Sequence, residues 1–136
     1  MSLALFIVAE DHKYQNEVFV NGKCFADHYD HVGVLAKDKG LKHIDDFIVN
    51  ILDENMAEEL GLSVEDIKNN NAKLEKIWFK ADEGLKYFEK VIEIVKKDGD
   101  TTDKTKNEVI PDLIEFINAL KILKSKNVGW RFQWDY

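Results

Sequence analysis

Cysteine, proline and arginine are nearly missing from this chain: each occurs once, as Cys24, Pro111 and Arg131. A lone cysteine excludes an internal disulfide and any multi-cysteine zinc site, and it fits a reducing, cytoplasmic compartment. One arginine against 18 lysines leaves little of the forked guanidinium geometry that reads phosphates and base edges bidentately. Long apolar runs are also missing. The run at residues 3–9 falls far short of the roughly 20 residues that span a bilayer. It has no basic leader before it and Glu10 and Asp11 directly after it, so it is not expected to act as a signal peptide. No Walker or dinucleotide fingerprint occurs, which disfavours nucleotide enzymes, and no cofactor is implied.

The 136 residues, 45% hydrophobic and 33% charged, suit one domain over 1–136 with a single core rather than a disordered chain. The net charge of −7 is unevenly spread: residues 1–66 hold 14 carboxylates and 5 basic side chains, whereas residues 67–136 hold 12 and 14. Between His43 and Ile67 lie eight carboxylates and no lysine or arginine. Such a field repels phosphate backbones and attracts cationic surfaces, so a basic protein is a more natural partner than nucleic acid or a membrane.

Residues 3–9 read as a strand covered on both faces or a central strand, and Val18, Phe19 and Val20 as a short extended piece stopped by Asn21-Gly22. Phe25, Tyr29, Val32 and Ala36 form one stripe of a helix over 24–39, closed by Gly40 in a left-handed cap. Ile44, Phe47, Ile48, Ile51 and Leu52 repeat with helical spacing, which predicts a second helix running on to Leu60. Ser63 and Asp66 resemble a capping box opening a single turn, and the run Asn69, Asn70, Asn71 predicts loop over 68–76. Ile77, Trp78 and Phe79 are β-prone. Asp82 is placed to cap a helix through Leu85, Phe88, Val91, Ile92 and Val95, closed by Gly99. Residues 98–107 read as the most flexible stretch, and Pro111 as the first turn of a last helix through Leu113, Phe116, Ile117, Leu120 and Leu123. At the end Trp130, Phe132, Trp134 and Tyr136 alternate with Arg131, Gln133 and Asp135, the pattern of a half-buried strand. The fold class expected is α+β: four to five amphipathic helices packed on a small sheet formed mainly by the N- and C-terminal strands.

Chemistry could reside in Asp27-His28-Tyr29-Asp30-His31, where His28 and His31 are helical neighbours and His43 could complete a metal site. Ordinary solvated side chains account for the same residues. The start of the helix near Lys80, Asp82, Glu83 and Gly84 could hold an anion, but Asp82 would occupy those donors, and Gly84 suits close helix packing. Cys24, Ser63 and Ser125 lack any nucleophile-elbow context, and Cys24 reads as a small buried hydrophobe. Asp45 and Asp46, like Glu58 and Glu59, are sequential rather than facing, so they suit a solvated face better than an acid and base.

The segments Phe6-Ile7-Val8, Asn21-Gly22-Lys23, Trp78-Phe79 with Glu83-Gly84-Leu85, and Trp130-Arg131-Phe132-Gln133-Trp134-Asp135-Tyr136 resemble a family of small, uncharacterised bacterial proteins frequent in cyanobacteria. Nearly the whole chain is covered, although the acidic stretch 53–66 and Asn69 to Asn71 depart from the pattern and resemble a local insertion. The resemblance implies a fold and a bacterial source, with no activity to carry over.

The leading expectation is a noncatalytic interaction protein, similar to the small acidic immunity proteins, that contacts a basic partner through Asp45, Asp46, Asp53, Glu54, Glu58 and Glu59. One alternative is a metal-binding protein or metal-dependent enzyme using His28, His31 and His43. The other is a homodimer joined through a sheet edge or the aromatic strand.

Overall fold

The computed structural model describes residues 4–20 and 22–135. Asn21 of the expected turn and the aromatic Tyr136 lie outside them. The two terminal strands, β1 (Ala4–Ala9) and β2 (Trp130–Asp135), form an antiparallel pair in which Leu5 faces Trp134, Ile7 faces Phe132 and Ala9 faces Trp130. Between them run α1 (Lys23–Asp38), α2 (Ala57–Leu60), α3 (Val64–Leu74), α4 (Ala81–Lys97) and α5 (Asp103–Lys126). The expected α+β architecture is present. Among the described residues no helix is long and apolar enough to cross a membrane.

The core lies between the sheet and α1, α4 and α5. Phe25, Phe88, Phe116, Trp130 and Phe132 are fully buried there, with Phe25 edge-on to Phe116 at 5.2 Å and Trp130 edge-on to Phe132 at 5.2 Å. Trp130 lies directly on α4. A Cβ at Gly84 would come within 2.7 Å of the indole, so only glycine lets the ring approach the helix backbone, and the indole N–H then donates to the Lys80 carbonyl at 3.1 Å.

Both strands are paired along their outer edges as well. Trp130 exchanges backbone hydrogen bonds with Phe79 (2.9 and 3.0 Å), and Val49 N–H donates to the Phe132 carbonyl at 2.9 Å. On β1, Leu5 bridges to Gly22. The Gln15 side chain takes the place of a further strand there, accepting from Ala9 N–H and donating to the Ile7 carbonyl, each at 2.8 Å. β1 nevertheless alternates between buried and half-buried residues, so it is covered completely on one face only, against expectation.

Several local expectations fail for tertiary reasons. Residues 44–60 are not one helix. A 3-10 turn at Ile44–Phe47 gives way at Ile48 (φ −92°, ψ 123°) to extended chain, because the β-branched Ile48 and Val49 pair beside Phe132. The asparagine run, expected as loop, is inside α3, where Asn71 bonds outward to Leu52 instead of to its own backbone. Lys80, not Asp82, is the N-cap of α4, and Gly99 lies beyond its end without a left-handed φ. α5 starts at Thr102, whose hydroxyl accepts from Thr105 N–H, so part of the stretch expected to be flexible is helix and Pro111 is in its interior. Pro111 and Asn107 are both exposed, so the carbonyl that proline leaves without a helical donor is open to water. Cys24 is exposed rather than buried.

The start of α1 has no cap of its own, since Gly22 offers no side chain. Asp112 of α5 caps it from across the core, accepting from Phe25 N–H at 2.8 Å. Burial raises the Asp112 carboxyl above its ordinary range, the Phe25 N–H opposes this, and Glu115 adds to it. A raised folded-state pKa penalises the ionised form, so the stabilising contribution is complete below the unfolded pKa and is lost as pH rises through the folded one. Asp112→Asn keeps an acceptor without the charge. It should match the parent in acid and exceed it in stability at neutral pH, whereas Asp112→Ala should lose about 1 kcal/mol of capping energy, as read by urea denaturation at both pH values. Gly84→Ala should cost about 1–3 kcal/mol by overpacking and should shift the Trp130 indole N–H resonance.

A candidate interaction surface

Residues 43–76 form a small lobe beside the sheet, joined to the core at Ile44 and Phe47 and to β2 at Ile48 and Val49. His43 opens the 3-10 turn: its Nδ1 accepts from Asp45 N–H at 3.0 Å, and its own N–H donates to the Asp46 carboxylate at 3.1 Å. After Val49 the chain departs from β2. Asp53 caps the next turn by accepting from Asn55 N–H at 2.9 Å, α2 stops at Gly61 with φ 68°, and Ser63 caps α3 by accepting from Asp66 N–H at 3.0 Å.

Three contacts hold the lobe. Ile67 is fully buried, with Val49 and Ala57 also buried and outside the main core cluster. The Asn71 amide accepts from Leu52 N–H (3.0 Å) and donates to the Leu52 carbonyl (2.8 Å). Arg131 reaches from the sheet to the C-terminal end of α3, donating to the carbonyls of Leu74 (3.1 Å) and Ile77 (3.3 Å) with its guanidinium 3.9 Å from the Trp78 ring centre. Leu74 ends α3, where carbonyls run short of intrahelical donors; its carbonyl also accepts from Ile77 N–H at 3.0 Å, and the planar cation ties this helix end to the chain just beyond it.

The six carboxylates singled out in the sequence, Asp45, Asp46, Asp53, Glu54, Glu58 and Glu59, are all exposed. Among the described residues none of them forms an ion pair with a lysine or arginine; Asp45 meets only the His43 ring, at 3.4 Å. Asp45 and Asp46 lie on the 3-10 turn, and the other four lie on the cap and helices that follow. Met56, Leu60, Leu62 and Val64 lie interleaved with them, and each is more than 40% exposed. Half of the large exposed hydrophobics among the described residues therefore fall within this short segment, a concentration that isolated surface leucines do not show.

The sequence does not reveal a cleft of about 380 Å³ where the lobe parts from β2, lined by Ile51, Leu52, Asp53, Met56 and Trp134 with Asn50 and Gln133. Trp134 is half-buried there, packed against the core cluster and edge-on to Tyr29 at 5.0 Å. A signal for surplus apolar residues was present: once Gly61 breaks the helix, Met56, Leu60, Leu62 and Val64 cannot share one buried face.

The histidines do not come together. His28 Nε2 is 2.8 Å from the Glu108 carboxylate and His31 Nε2 is 2.9 Å from the Thr101 hydroxyl. His43 Nε2 is 3.1 Å from Asp30, with its ring packed on Gly33. Because His43 Nδ1 accepts a backbone N–H, its proton sits on Nε2 and is donated to Asp30. Thr101 gives its hydroxyl proton to Asp98, so His31 is the donor to Thr101; that hydroxyl is the first cause holding Asp98 below the usual carboxylate range. Among the described residues no group of three His, Cys, Asp or Glu side chains is placed to hold a metal ion. At the candidate anion site, Asp82 is paired with Lys124 at 2.9 Å and Lys86 at 3.0 Å, which lowers its pKa. Ser63 is committed to its cap, and the Ser125 hydroxyl donates to the Ile122 carbonyl at 2.6 Å.

No family model matches this sequence, and no curated protein or solved structure matches it either.

Asn71→Ala would leave the Leu52 N–H and carbonyl without their partner, at a cost of about 1–2 kcal/mol. Native-state hydrogen exchange should show the Leu52 amide exchanging faster while the Val8 and Gln133 amides, which point into the β1–β2 ladder, keep their protection.

Proposed function

We propose that this chain is a noncatalytic bacterial interaction protein that binds a basic protein partner through the carboxylate-rich part of the lobe, residues 43–67, in the manner of an immunity or inhibitor protein. One observation carries the reading: Asp45, Asp46, Asp53, Glu54, Glu58 and Glu59 are exposed without a lysine or arginine partner, beside exposed Met56, Leu60, Leu62 and Val64. Carboxylates that only solubilise a surface are commonly interspersed with lysines, as they are elsewhere in this chain at Asp82 and Glu83. Carboxylates around an apolar centre instead match the anatomy of a binding surface, with a desolvated middle and a charged rim that steers the approach of a cation. The commitment of Ser63 and Ser125 to local backbone supports the noncatalytic half of the reading.

The charge reading is tested with the intact protein immobilised on resin, beside a variant carrying Asp53→Asn, Glu54→Gln, Glu58→Gln and Glu59→Gln. A genuine partner should be released as salt rises from about 0.15 to about 0.5 M, where the screening length shrinks to a few ångströms. It should bind the neutral variant at least tenfold more weakly, equivalent to about 1.4 kcal/mol. A partner that is retained equally by both proteins at high salt overturns the proposal.

A further inference from the structure

The cleft beside the acidic lobe ends at an unfinished strand edge. In an antiparallel pair the backbone groups point alternately toward the partner strand and away from it. The outward bonds of Trp130 to Phe79, and of Ile7 and Ala9 to Gln15, set the phase. By that alternation Trp130, Phe132 and Trp134 all present their N–H and carbonyl to the outer edge of β2. Trp130 is paired there with Phe79 and Phe132 with Val49. At Trp134 the sequence of partners stops: beyond Val49 the chain swings away, held by the Asn71 clamp on Leu52, and among the described residues no backbone group pairs with Trp134 on that side. The gap so opened is the apolar cleft of about 380 Å³ with Ile51, Leu52, Met56 and Trp134 on its walls.

We propose that this cleft receives an extended segment of a basic partner, an apolar residue flanked by lysine or arginine, which adds to β2 as a short strand beside Trp134. The proposal rests on the acidic-face reading above and names how that face is anchored. Backbone pairing to Trp134 gives the segment its direction, the cleft takes one apolar side chain, and Asp53 on its wall selects for flanking cations. Charge complementarity identifies the occupant. An acidic segment would meet Asp53 and the neighbouring carboxylates with like charge, and a second copy of this chain, itself at −7, would bring the same negative lobe to the contact.

The probe is a synthetic Lys-Val-Leu-Val-Lys peptide with blocked ends, titrated into the isotopically labelled protein. Two controls accompany it, the Glu-Val-Leu-Val-Glu analogue and a backbone N-methylated version of the lysine peptide. The lysine peptide should shift the Trp134 amide and indole resonances and the Met56 methyl, while the glutamate analogue and the N-methylated peptide should bind at least tenfold more weakly. Met56→Gln, which removes an apolar wall of the cleft without changing its charge, should weaken the lysine peptide by a similar factor with an unchanged thermal melt. If that variant fails to fold, the N-methylated peptide decides alone. Binding of the lysine peptide that leaves Trp134 unshifted and is indifferent to N-methylation would sink the strand-addition proposal and leave the charge reading standing. Absence of any shift across the acidic lobe would overturn both. Shifts at Trp134 that grow with protein concentration alone would identify a second copy as the occupant and overturn the assignment to a basic partner.

Discussion

The close approach of the Trp130 indole to the backbone of α4 is the contact on which the rest of the molecule depends. It needs a strand that ends in aromatic residues, a glycine at position 84, and a carbonyl at Lys80 to take the ring N–H. Once it forms, β2 is fixed against α4, and everything that pairs with β2 is fixed in turn: β1 on one side, Phe79 and the Ile48–Val49 segment on the other. Phe47 is drawn in with its ring stacked on Trp130 at 5.2 Å, which joins the start of the lobe to the core. A two-stranded sheet alone is marginal in water. Here the strand pair is stabilised by its aromatic face and by neighbouring chain that pairs along its edges up to Phe132.

The parts of this architecture that depend on local periodicity were legible in the residues. The alternation from Trp130 onward, the stripe of α1 and the apolar rows of α4 and α5 each repeat with their own geometry, and burial of those faces follows without knowledge of the partners. The illegible parts were decided at a distance. Ile44, Phe47, Ile48 and Ile51 have helical spacing, yet the edge of β2 offers Ile48 and Val49 a ladder that a helix would forgo. Asn71 is an indifferent helix residue until Leu52 arrives with an unpaired N–H and carbonyl. Asp82 would cap α4 in isolation, but Lys124 at the end of α5 and Lys86 one turn on offer stronger, charge-assisted partners.

The candidate surface divides in the same way. Its charge could be read directly, because a run of carboxylates with no lysine between them has little choice but to face water. Its apolar centre could not, since whether Met56, Leu60, Leu62 and Val64 are exposed depends on Gly61 turning the chain, and the cleft exists only because the Asn71 clamp pulls residues 50–53 away from the sheet. Histidines that looked related in the sequence, His28 and His31 with His43, became separate polar pairs because α1 sends His28 toward α5 and His31 toward the α4–α5 connection, while His43, at the turn that follows, reaches back to Asp30 of α1.

Gln15 gives the sheet a sense of direction. By occupying Ile7 and Ala9 it seals the β1 side with a side chain, which has no second edge to hand on to a further strand. Among the described residues, the backbone left without a partner at Trp134 lies on the opposite side. A side chain satisfies backbone groups without presenting a fresh edge of its own, so on the β1 side the ladder ends where Gln15 sits.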